Sequence, residues 1–378
     1  MKKILITGAS GFIGSYLCED GHRRRYEVWA GMRKNSSRKN LQGEWLNFIT
    51  LNLSDPAELK AQLSRFKTSG TRWDAIIHAG GATKCLHKED FDKNNYECTK
   101  NLVDALIELD MVPDLFVYLS SLSVMGPVRE TQVAPHPILP AIPLTGDSCD
   151  EFMANYVVKD SVYEEISDAD TATPNTAYGL SKMKSESYLH SLPKHTFPYV
   201  IMRPTGVYGP REKDYKMMAD SIKRHIDFSV GFKPQEITFV HVYDLSGAIY
   251  AAISRRDEEI AVREETKSIL GKSYFVSDGF VYYSRSFSDL LQKTLGVGHV
   301  LHIKAPLWFL KAVSAVSEWT MSIFGKPSTL NGDKYKIMRQ RNWRCDIRPM
   351  IEDLGYTPEW NLERGVEETF GKKTTHKD

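Results

Sequence analysis

Short apolar runs alternate with helical stretches through the first half of the chain, which is the pattern of a parallel sheet covered by helices on both faces. The candidate strands are rich in β-branched and aromatic residues; they are Lys3–Thr7, Glu27–Met32, Leu46–Leu51, Ala75–His78, Leu115–Leu119, Tyr199–Arg203 and Ser273–Val276. The candidate helices are Gly11–Glu19, Ala57–Phe66, Asn94–Leu109 and Ala177–Leu192. We therefore predict an α/β fold, a Rossmann-type doubly wound parallel sheet with a smaller, interleaved C-terminal substrate-binding region.

The same pattern predicts a division of the chain into two parts. Residues 1–202 form the dinucleotide-binding domain, which residues 236–262 or so complete, and residues 203–235 and 263–372 form the substrate-binding region. Within the first part, Pro127–Pro174 breaks the rhythm of strands and helices with clustered prolines and then acidic, polar sequence. We interpret this segment as a long insertion outside the sheet, of the kind that is usually functional or disordered.

The composition narrows the class of partner. The chain has 49 basic and 48 acidic residues, a net charge of +1, so no global field attracts nucleic acid and a small molecule is the expected partner. Its five cysteines form no CxxC pair and leave one thiol over, which favours a reducing cytoplasm. The eleven histidines show no HxxxH pair or ligand-like cluster, so we expect no metal.

One later stretch could contact a membrane. Residues 306–324 are apolar over nearly the length of a bilayer span, but Lys311 and Glu318 interrupt them. Their broad helical stripe favours a buried or pocket-lining helix, and a helix lying in the membrane interface is the alternative. The apolar run at the N-terminus ends at Thr7, too early for an export signal.

A glycine-rich turn follows the first strand. Gly8, Gly11 and Gly14 form a GxxGxxG pattern that opens a helix and encloses Ser10, Phe12 and Ile13. Gly8 permits the tight turn, Gly11 lets the backbone approach a pyrophosphate, and Gly14 lets helix and strand pack closely. This context, strand before and helix after, predicts a dinucleotide site with the anion at the helix N-terminus.

The end of the second strand bears on which dinucleotide binds. A carboxylate there would bind the ribose hydroxyls of NAD, and a basic residue would accept the 2′-phosphate of NADP. The sequence has no acid at this point but has Arg33, with Arg38 nearby. We predict that NADP(H) is preferred, with Arg33 stacking on adenine and pairing with phosphate, and that NAD(H) is possible.

Tyr178 and Lys182 stand four residues apart at the start of a predicted helix and so face one side. A tyrosine is a weak base near neutral pH, but a neighbouring positive charge favours its phenolate, and Lys182 can supply that charge. Tyr178 could then exchange a proton with a substrate hydroxyl during hydride transfer. Ser121, just beyond a strand at the carboxyl edge of the sheet, could hold the substrate oxygen, and Ser123 is a second hydroxyl within reach.

Four motifs in this order resemble the extended short-chain dehydrogenase/reductase family, which includes NAD-dependent epimerases and dehydratases. They are Gly8–Gly14, Ser120–Gly126, Tyr178–Lys182 and Arg203–Pro210, with further similar segments at Asn95–Asn101, Phe239–Leu245 and Leu354–Pro358. The resemblance implies a catalytic triad of Ser121, Tyr178 and Lys182, with Lys182 also on the nicotinamide ribose. It also implies cofactor contacts from Ala79, Gly80, Asn52, Leu53, Pro204 and Val207. Relatives often pair through the helix of the catalytic tyrosine, which implies a homodimer through Ala177–Leu192.

The sequence departs from the family pattern at an adenine contact of the cofactor and on the substrate side. Asn52 stands where the family usually has an aspartate, and its amide oxygen can still accept a hydrogen bond. Met125 replaces the tyrosine that is common before Gly126, and the segment leading to Tyr178 is longer than usual. We take Ser123, Met125 and Arg211 as candidate substrate contacts.

The C-terminal half separates the possible substrates. Pro306–Leu310 with the long apolar helix, followed by Lys326–Leu330, looks like the hydroxysteroid and sterol dehydrogenase branch, which implies a lipophilic hydroxyl or ketone. The alternative is a nucleotide-sugar epimerase or dehydratase with tightly bound NAD, whose diphosphate site could be lined by basic residues: Arg203, Arg211, Lys213, Arg339 and Arg341. A third reading is a cofactor-binding scaffold without turnover, against which the presence of Ser121, Tyr178 and Lys182 argues.

Overall fold

The computed structural model describes residues 1–138, 141–142, 149–262, 268–323 and 332–371. The strands are β1 Lys3–Thr7, β2 Glu27–Met32, β3 Asn47–Thr50, β4 Ala75–His78, β5 Leu115–Leu119, β6 His136–Pro137, β7 Asp160–Ser161, β8 Tyr199–Pro204, β9 Gly206–Tyr208, β10 Ile226–Val230, β11 Glu236–Ile237, β12 Phe239–His241, β13 Ser273–Val276, β14 Tyr282–Tyr283 and β15 Leu301–Ala305. The helices are α1 Phe12–Arg23, α2 Pro56–Thr68, α3 Glu89–Phe91, α4 Cys98–Glu108, α5 Cys149–Tyr156, α6 Ala177–His190, α7 Asp214–Lys223, α8 Val242–Val262, α9 Ser286–Leu295, α10 Leu307–Ile323, α11 Gly332–Arg339, α12 Arg348–Leu354 and α13 Leu362–Phe370.

The main sheet has seven strands in the order β13-β8-β5-β4-β1-β2-β3, and every pairing in it is parallel. This order reverses between β1 and β4, which is the switch point of a doubly wound fold, and ligands of such folds bind outside the carboxyl ends of the strands there. The prediction of a Rossmann-type parallel sheet is confirmed. All seven predicted strands are present, with ends that differ by no more than one residue.

Helices cover both faces of the sheet because successive side chains of each buried strand point to opposite faces. Ile4 and Ile6 of β1 pack in the same apolar cluster as side chains of α1 and α8. Leu5, between them, belongs to a second cluster with side chains of α2, α4 and α6. The near-continuous apolar runs that predicted these strands therefore reflect burial on both sides.

Two sequence predictions need correction in detail. The helix predicted over Asn94–Leu109 begins earlier, at α3, and a π-helical turn at Asp92–Glu97 joins α3 to α4. The proposed domain boundary at residue 262 also leaves β13 outside the dinucleotide-binding part, although β13 is the edge strand of the main sheet, beside β8. The rest of the domain division stays a prediction.

The described part of the Pro127–Pro174 insertion is packed against the C-terminal half. It contains α5 and the short antiparallel pair β6–β7, and it buries Phe152, Tyr163 and Ile166. The Oγ of Ser161 donates a hydrogen bond to the buried carboxylate of Glu236 at 2.6 Å. These contacts make the described insertion a folded layer, which proline clustering alone did not indicate.

Candidate active site

Helix α6 carries three functional groups at intervals of four residues, so that Tyr178, Lys182 and Glu186 form one stripe along its face. The helix starts at a defined point because Thr176 caps it, its side chain accepting a hydrogen bond from the backbone N–H of Gly179 at 2.9 Å. The cap fixes where the first turn begins and hence the direction of the tyrosine side chain. The predicted four-residue spacing is therefore realised on one helix face.

The first turn of α6 lies against the loop that follows β5. A Cβ atom at position 179 would lie 2.4 Å from the carbonyl oxygen of Ser123, so only glycine allows this approach. In that loop Ser121 accepts a hydrogen bond from the backbone N–H of Ser123 at 3.1 Å, which fixes its side chain. Its hydroxyl is also hydrogen-bonded with Tyr178. The structure thus brings together the predicted serine and tyrosine.

Burial decides the acidity of the phenol. It raises the pKa of Tyr178 to about 12, and the hydrogen bond with Ser121 offsets this only in part. The ammonium of Lys182 donates instead to the carbonyl oxygen of Leu119 at 2.7 Å and lies 4.8 Å from the centre of the Tyr118 ring. Burial and Ser121, and not Lys182, account for the shifted pKa of Tyr178 in the protein alone, so the activation of the phenol by Lys182 stays a prediction.

Lys182 is itself a perturbed group. Burial lowers its pKa to about 8, and the carboxylate of Glu186 raises it again only in part. A Cβ atom at Gly81 would lie 3.4 Å from the lysine Nζ, which shows how closely the ammonium approaches the loop after β4. Lys182 is thus the member of the stripe that lies close to the loop after β4.

Asn95 is a site residue whose role the sequence reasoning missed. It is fully buried in the π-helical turn. Its side-chain oxygen accepts from the backbone N–H of Ala82 at 2.7 Å, and its amide donates to the Oγ of Ser181 at 2.9 Å. Asn95 therefore ties the catalytic helix to the loop after β4. The available signal was the Asn94-Asn95 pair at the start of a predicted helix.

The glycine turn has the geometry that its spacing predicted. Gly8 has a φ of +67°, and a Cβ atom at Gly14 would lie 2.2 Å from the carbonyl oxygen of Gly8. Gly14 therefore holds the start of α1 against the turn, as expected for a dinucleotide-binding loop. Phe12 and Ile13 form the first turn of α1, whose N-terminus the turn presents to the switch point.

A cavity of about 250 Å³ lies at the carboxyl ends of β1, β2 and β4. Its lining includes seven of the predicted cofactor residues, which are Gly8, Ser10, Gly11, Arg33, Leu53, Ala79 and Gly80. The glycine turn and the loop after β4 form its walls, and a side chain at Gly8 is excluded by the backbone of Gly80, which would lie 2.7 Å from its Cβ atom. The residues present therefore fit a dinucleotide pyrophosphate.

A second, wider cavity of about 580 Å³ adjoins the first at the end of β2, and both are lined by Arg33. Asn52 lines it too, but its amide donates to the carboxylate of Glu58, an acidic residue on the same wall that sequence reasoning did not consider. Arg38 lines neither cavity, because its guanidinium stacks 4.0 Å from the centre of the Phe48 ring. Arg33 is thus the better placed of the two predicted arginines.

The remaining predicted contacts lie deeper in the fold. Pro204 ends β8 and is buried, and Val207 is paired with Val240 across the β9–β12 ladder. Met125, predicted as a substrate contact, is 1% exposed in the main apolar core, so it has no surface to offer a substrate. Ser123 is partly exposed beside the catalytic helix and stays a candidate.

Arg211 is held by the cofactor-side helix. Its guanidinium donates to the Oγ of Ser15 at 3.0 Å and to the carboxylate of Glu19 at 2.7 Å, and it lies over the Tyr16 ring. These three partners belong to α1. These contacts engage two of its five N–H donors, and the assignment of Arg211 to the substrate or a diphosphate stays a prediction.

Glu186 is the inner end of the stripe on α6, and Tyr178 and Lys182 form its outer end. Arg203 of β8 contacts this inner end. It donates to the buried carboxylate of Glu186 at 2.7 Å and also pairs with Asp168 of the insertion. Ser120 donates to the same glutamate. Arg203 therefore forms structural ion pairs with both carboxylates. The prediction that it could line a diphosphate site is wrong, because its guanidinium is buried and paired within the protein.

Comparisons with known proteins show which family the chain resembles. The model of the NAD dependent epimerase/dehydratase family matches residues 4–144 and 153–263. A 3 beta-hydroxysteroid dehydrogenase/Delta 5-->4-isomerase of vaccinia virus, strain Ankara, is 22% identical over 392 aligned residues, which cover 98% of each chain. A dTDP-L-rhamnose 4-epimerase of Burkholderia thailandensis is also 22% identical, over 97% of this chain and 93% of its own length.

Among solved structures, the UDP-glucose 4-epimerase of Thermotoga maritima superposes with a TM-score of 0.66. The match covers 97% of both chains at 17% sequence identity. At that identity the likeness concerns the fold, and it supports the parallel sheet described above. The sequence relatives fall on both sides of the substrate question.

Proposed function

Because the chain belongs to the NAD dependent epimerase/dehydratase family, we propose that it transfers hydride between a nicotinamide and the hydroxyl or ketone carbon of a lipophilic substrate. The enzyme is of the extended short-chain dehydrogenase/reductase type, as the sequence resemblance predicted. The substrate class, the preference between NADPH and NADH and the individual site residues are the parts that we propose.

The observation that carries this proposal is that Ser121 lies next to Tyr178 at the carboxyl edge of the sheet. Tyr178 and Lys182 share one face of α6. When bound, the nicotinamide supplies or accepts the hydride. With its pKa raised to about 12, the phenol of Tyr178 stays protonated at neutral pH, the form that gives a proton to a ketone oxygen. Ser121 orients that oxygen, and Lys182 holds the nicotinamide ribose.

The substrate side of the proposal depends on which basic residues are already engaged. A nucleotide sugar needs cationic side chains for its diphosphate, and two of the five predicted candidates, Arg203 and Arg211, are paired with carboxylates of the protein. The hydroxysteroid dehydrogenase relative and the epimerase relative are both 22% identical to this chain, so sequence identity alone does not decide between the two substrate classes. The engaged arginines favour the lipophilic substrate.

The cofactor side of the proposal is a preference for NADPH through Arg33. This side chain lines both cavities at the end of β2, where a 2′-phosphate would lie, although Glu58 on the same wall works against an added negative charge. Replacing Arg33 with alanine is expected to lower kcat/KM for NADPH about tenfold and to change the value for NADH little. Arg38→Ala is the matched control, and equal losses in both variants, or a wild-type preference for NADH, would overturn the assignment.

The direct test of the function is a substrate panel followed at the nicotinamide absorption band. We expect turnover with steroid or sterol hydroxyls and ketones, or with long-chain ketones, and none with UDP- or dTDP-sugars. Turnover of a nucleotide sugar alone would instead establish the epimerase or dehydratase alternative. Cofactor binding without turnover of any compound would favour the scaffold reading.

A further inference from the structure

Strands β10 and β15 form a two-stranded ribbon whose apolar face points outward. They pair in parallel with Phe228 opposite Ile303, so alternate side chains of the two strands share each face. On one face Phe228 and Leu301 are 60% and 59% exposed. On the other face Asp227 is buried, and it accepts hydrogen bonds from His302 and Ser288. A surface ribbon ordinarily has the opposite arrangement, with its apolar side on the core.

Large exposed apolar side chains also occur in the residues that follow each strand. Phe232, just after β10, is 68% exposed, and Trp308 and Phe309, at the start of α10, are 71% and 49% exposed. Helix α10 turns Leu310 and Ser314 toward the protein, which leaves these two aromatic rings outside. We call the set Phe228, Phe232, Leu301, Ile303, Trp308 and Phe309 the apolar surface. Large exposed side chains this close together mark an interaction site.

The two segments that carry the apolar side chains expose charges of one sign. The segments 226–233 and 301–311 contain three lysines, Lys233, Lys304 and Lys311, and all three are exposed. Their single carboxylate, Asp227, is buried on the inner face of the ribbon. The Nζ of Lys304 lies 5.4 Å from the centre of the Phe232 ring, so a cation stands beside the apolar side chains. The chain as a whole is nearly neutral, at +1, so this concentration is local.

We infer that the apolar surface docks onto a bilayer that contains anionic lipid. Tryptophan and phenylalanine favour the headgroup level, and flanking lysines pair with lipid phosphate and carboxylate groups. A second copy of the chain fits less well, because a twofold contact through this surface would bring each set of three lysines toward the other with no carboxylate from these segments to pair them. The partner is therefore a lipid surface.

The inference is one of contact with the membrane surface, since the described residues include no helix long and apolar enough to cross a bilayer. It concerns the region in which the sequence predicted a possible membrane contact, residues 306–324, but it adds the ribbon of β10 and β15 and begins at the first turn of α10. Residue 324 lies outside the described residues. The inference does not rest on hydride transfer, because vesicle binding requires no turnover.

The apolar surface is linked to the catalytic helix through the C-terminal layer. Helix α10 packs on α11. In α11 the carboxylate of Asp333 accepts a hydrogen bond from the backbone N–H of Ala177, the first residue of α6, at 2.7 Å. Lys336 of the same helix donates to the carbonyl oxygen of Asn175 at 2.6 Å. A bilayer on this surface therefore contacts the layer that covers the beginning of the catalytic helix.

Vesicle co-sedimentation of the full chain tests this inference. We expect wild-type protein to pellet with vesicles of phosphatidylcholine and phosphatidylserine, and much less with phosphatidylcholine alone. Replacing Trp308 and Phe309 together with serine should lower the partition coefficient roughly tenfold or more. Ile260→Ser is the matched control, because Ile260 is 45% exposed outside the apolar surface. This variant should bind vesicles like wild type.

A second pair of variants tests the charge. Lys304→Gln with Lys311→Gln should weaken binding to the anionic vesicles by about fivefold for each lysine and reduce its dependence on salt. Cofactor titration of every variant, followed by fluorescence, shows that each is folded. Wild-type protein that stays in the supernatant with both vesicles would overturn the inference, as would equal binding by wild type and the Trp308 and Phe309 double variant. A wild-type dimer in light scattering that this double variant converts to monomer, without vesicle binding, would overturn it in favour of a second copy.

Discussion

The two ends of the stripe on α6 hold buried cations in different ways. At the inner end Arg203 is matched by two carboxylates, those of Glu186 and Asp168. At the outer end Lys182 has one carbonyl oxygen and an aromatic ring, and burial lowers its pKa to about 8. Removing one partner of a fully paired buried charge destabilises the fold, whereas an under-paired buried charge is typical of a functional site. The inner end of the stripe therefore has a structural role, and the outer end has a chemical one.

The largest expected effect is on catalysis, and it comes from replacing Lys182 at the outer end of the stripe. Lys182→Met should lower kcat/KM about a thousandfold, because the ammonium beside the reacting groups is lost. At neutral pH the same variant should melt at a higher temperature than wild type, since it removes a buried charge whose burial the carboxylate of Glu186 offsets only in part. Lys184→Met, an exposed lysine of the same helix paired with Asp92, is the control and should change neither quantity much.

The stabilisation should depend on pH in a defined direction. Between about 8 and its usual pKa of 10.5, Lys182 binds a proton in the unfolded chain but not in the folded one. Wild-type stability therefore rises with pH through this window, and below it the full penalty of the buried charge is present. The advantage of Lys182→Met in melting temperature should thus shrink from about pH 7 to about pH 10. A constant difference would contradict the lowered pKa.

The next effect belongs to the inner end. Arg203→Met should lower the free energy of unfolding by about 3–5 kcal/mol, because Glu186 is left buried without its cation. Arg348→Met removes a comparable number of ion pairs from a side chain that is 60% exposed, and it should cost about 0–1 kcal/mol. Urea denaturation followed by circular dichroism measures both. Similar losses in the two variants would remove the distinction between a buried and a surface pair.

The smallest expected effects come from two adjacent serines, of which Ser121 contacts Tyr178 at the outer end of the stripe and Ser120 contacts Glu186 at the inner end. Ser121→Ala should lower kcat about 10- to 100-fold with little change in unfolding free energy, because its hydroxyl meets Tyr178. Ser120→Ala should leave kcat close to wild type but destabilise the fold by about 1–3 kcal/mol, because Glu186 loses a buried donor. Kinetics and denaturation on the same two proteins would show whether the roles are exchanged.

The sequence predicted the outer end better than the inner end for a physical reason. The glycine turn, the serines after β5 and the spacing of Tyr178 and Lys182 are local patterns, each confined to a few residues. Arg203 was predicted as a ligand contact, since nothing near it in sequence shows that Glu186 and Asp168 saturate it. Asp168 comes from the insertion, whose packing the proline clusters did not indicate.

Contacts between residues far apart in the sequence also decide the orientation of the β10–β15 ribbon and the surroundings of Tyr178. The alternation of Ile226, Asp227 and Phe228 is typical of a strand, but the face of the ribbon that meets water depends on β15, some 75 residues away. The sequence likewise predicted a cation that activates Tyr178. In the structure burial has the largest effect on the pKa of that phenol. The ammonium of Lys182 donates its hydrogen bond to a backbone carbonyl oxygen.

The central claim is that Tyr178 exchanges the proton during hydride transfer, and a single-turnover experiment tests it most directly. Wild type, Tyr178→Phe and Tyr188→Phe are mixed with cofactor and the best steroid, sterol or long-chain substrate, and the nicotinamide absorption is followed. Tyr188, on the same helix, donates to Asp104 and serves as control. We predict that Tyr178→Phe alone slows by about a thousandfold while its cofactor affinity is unchanged. A wild-type rate in Tyr178→Phe would contradict the account.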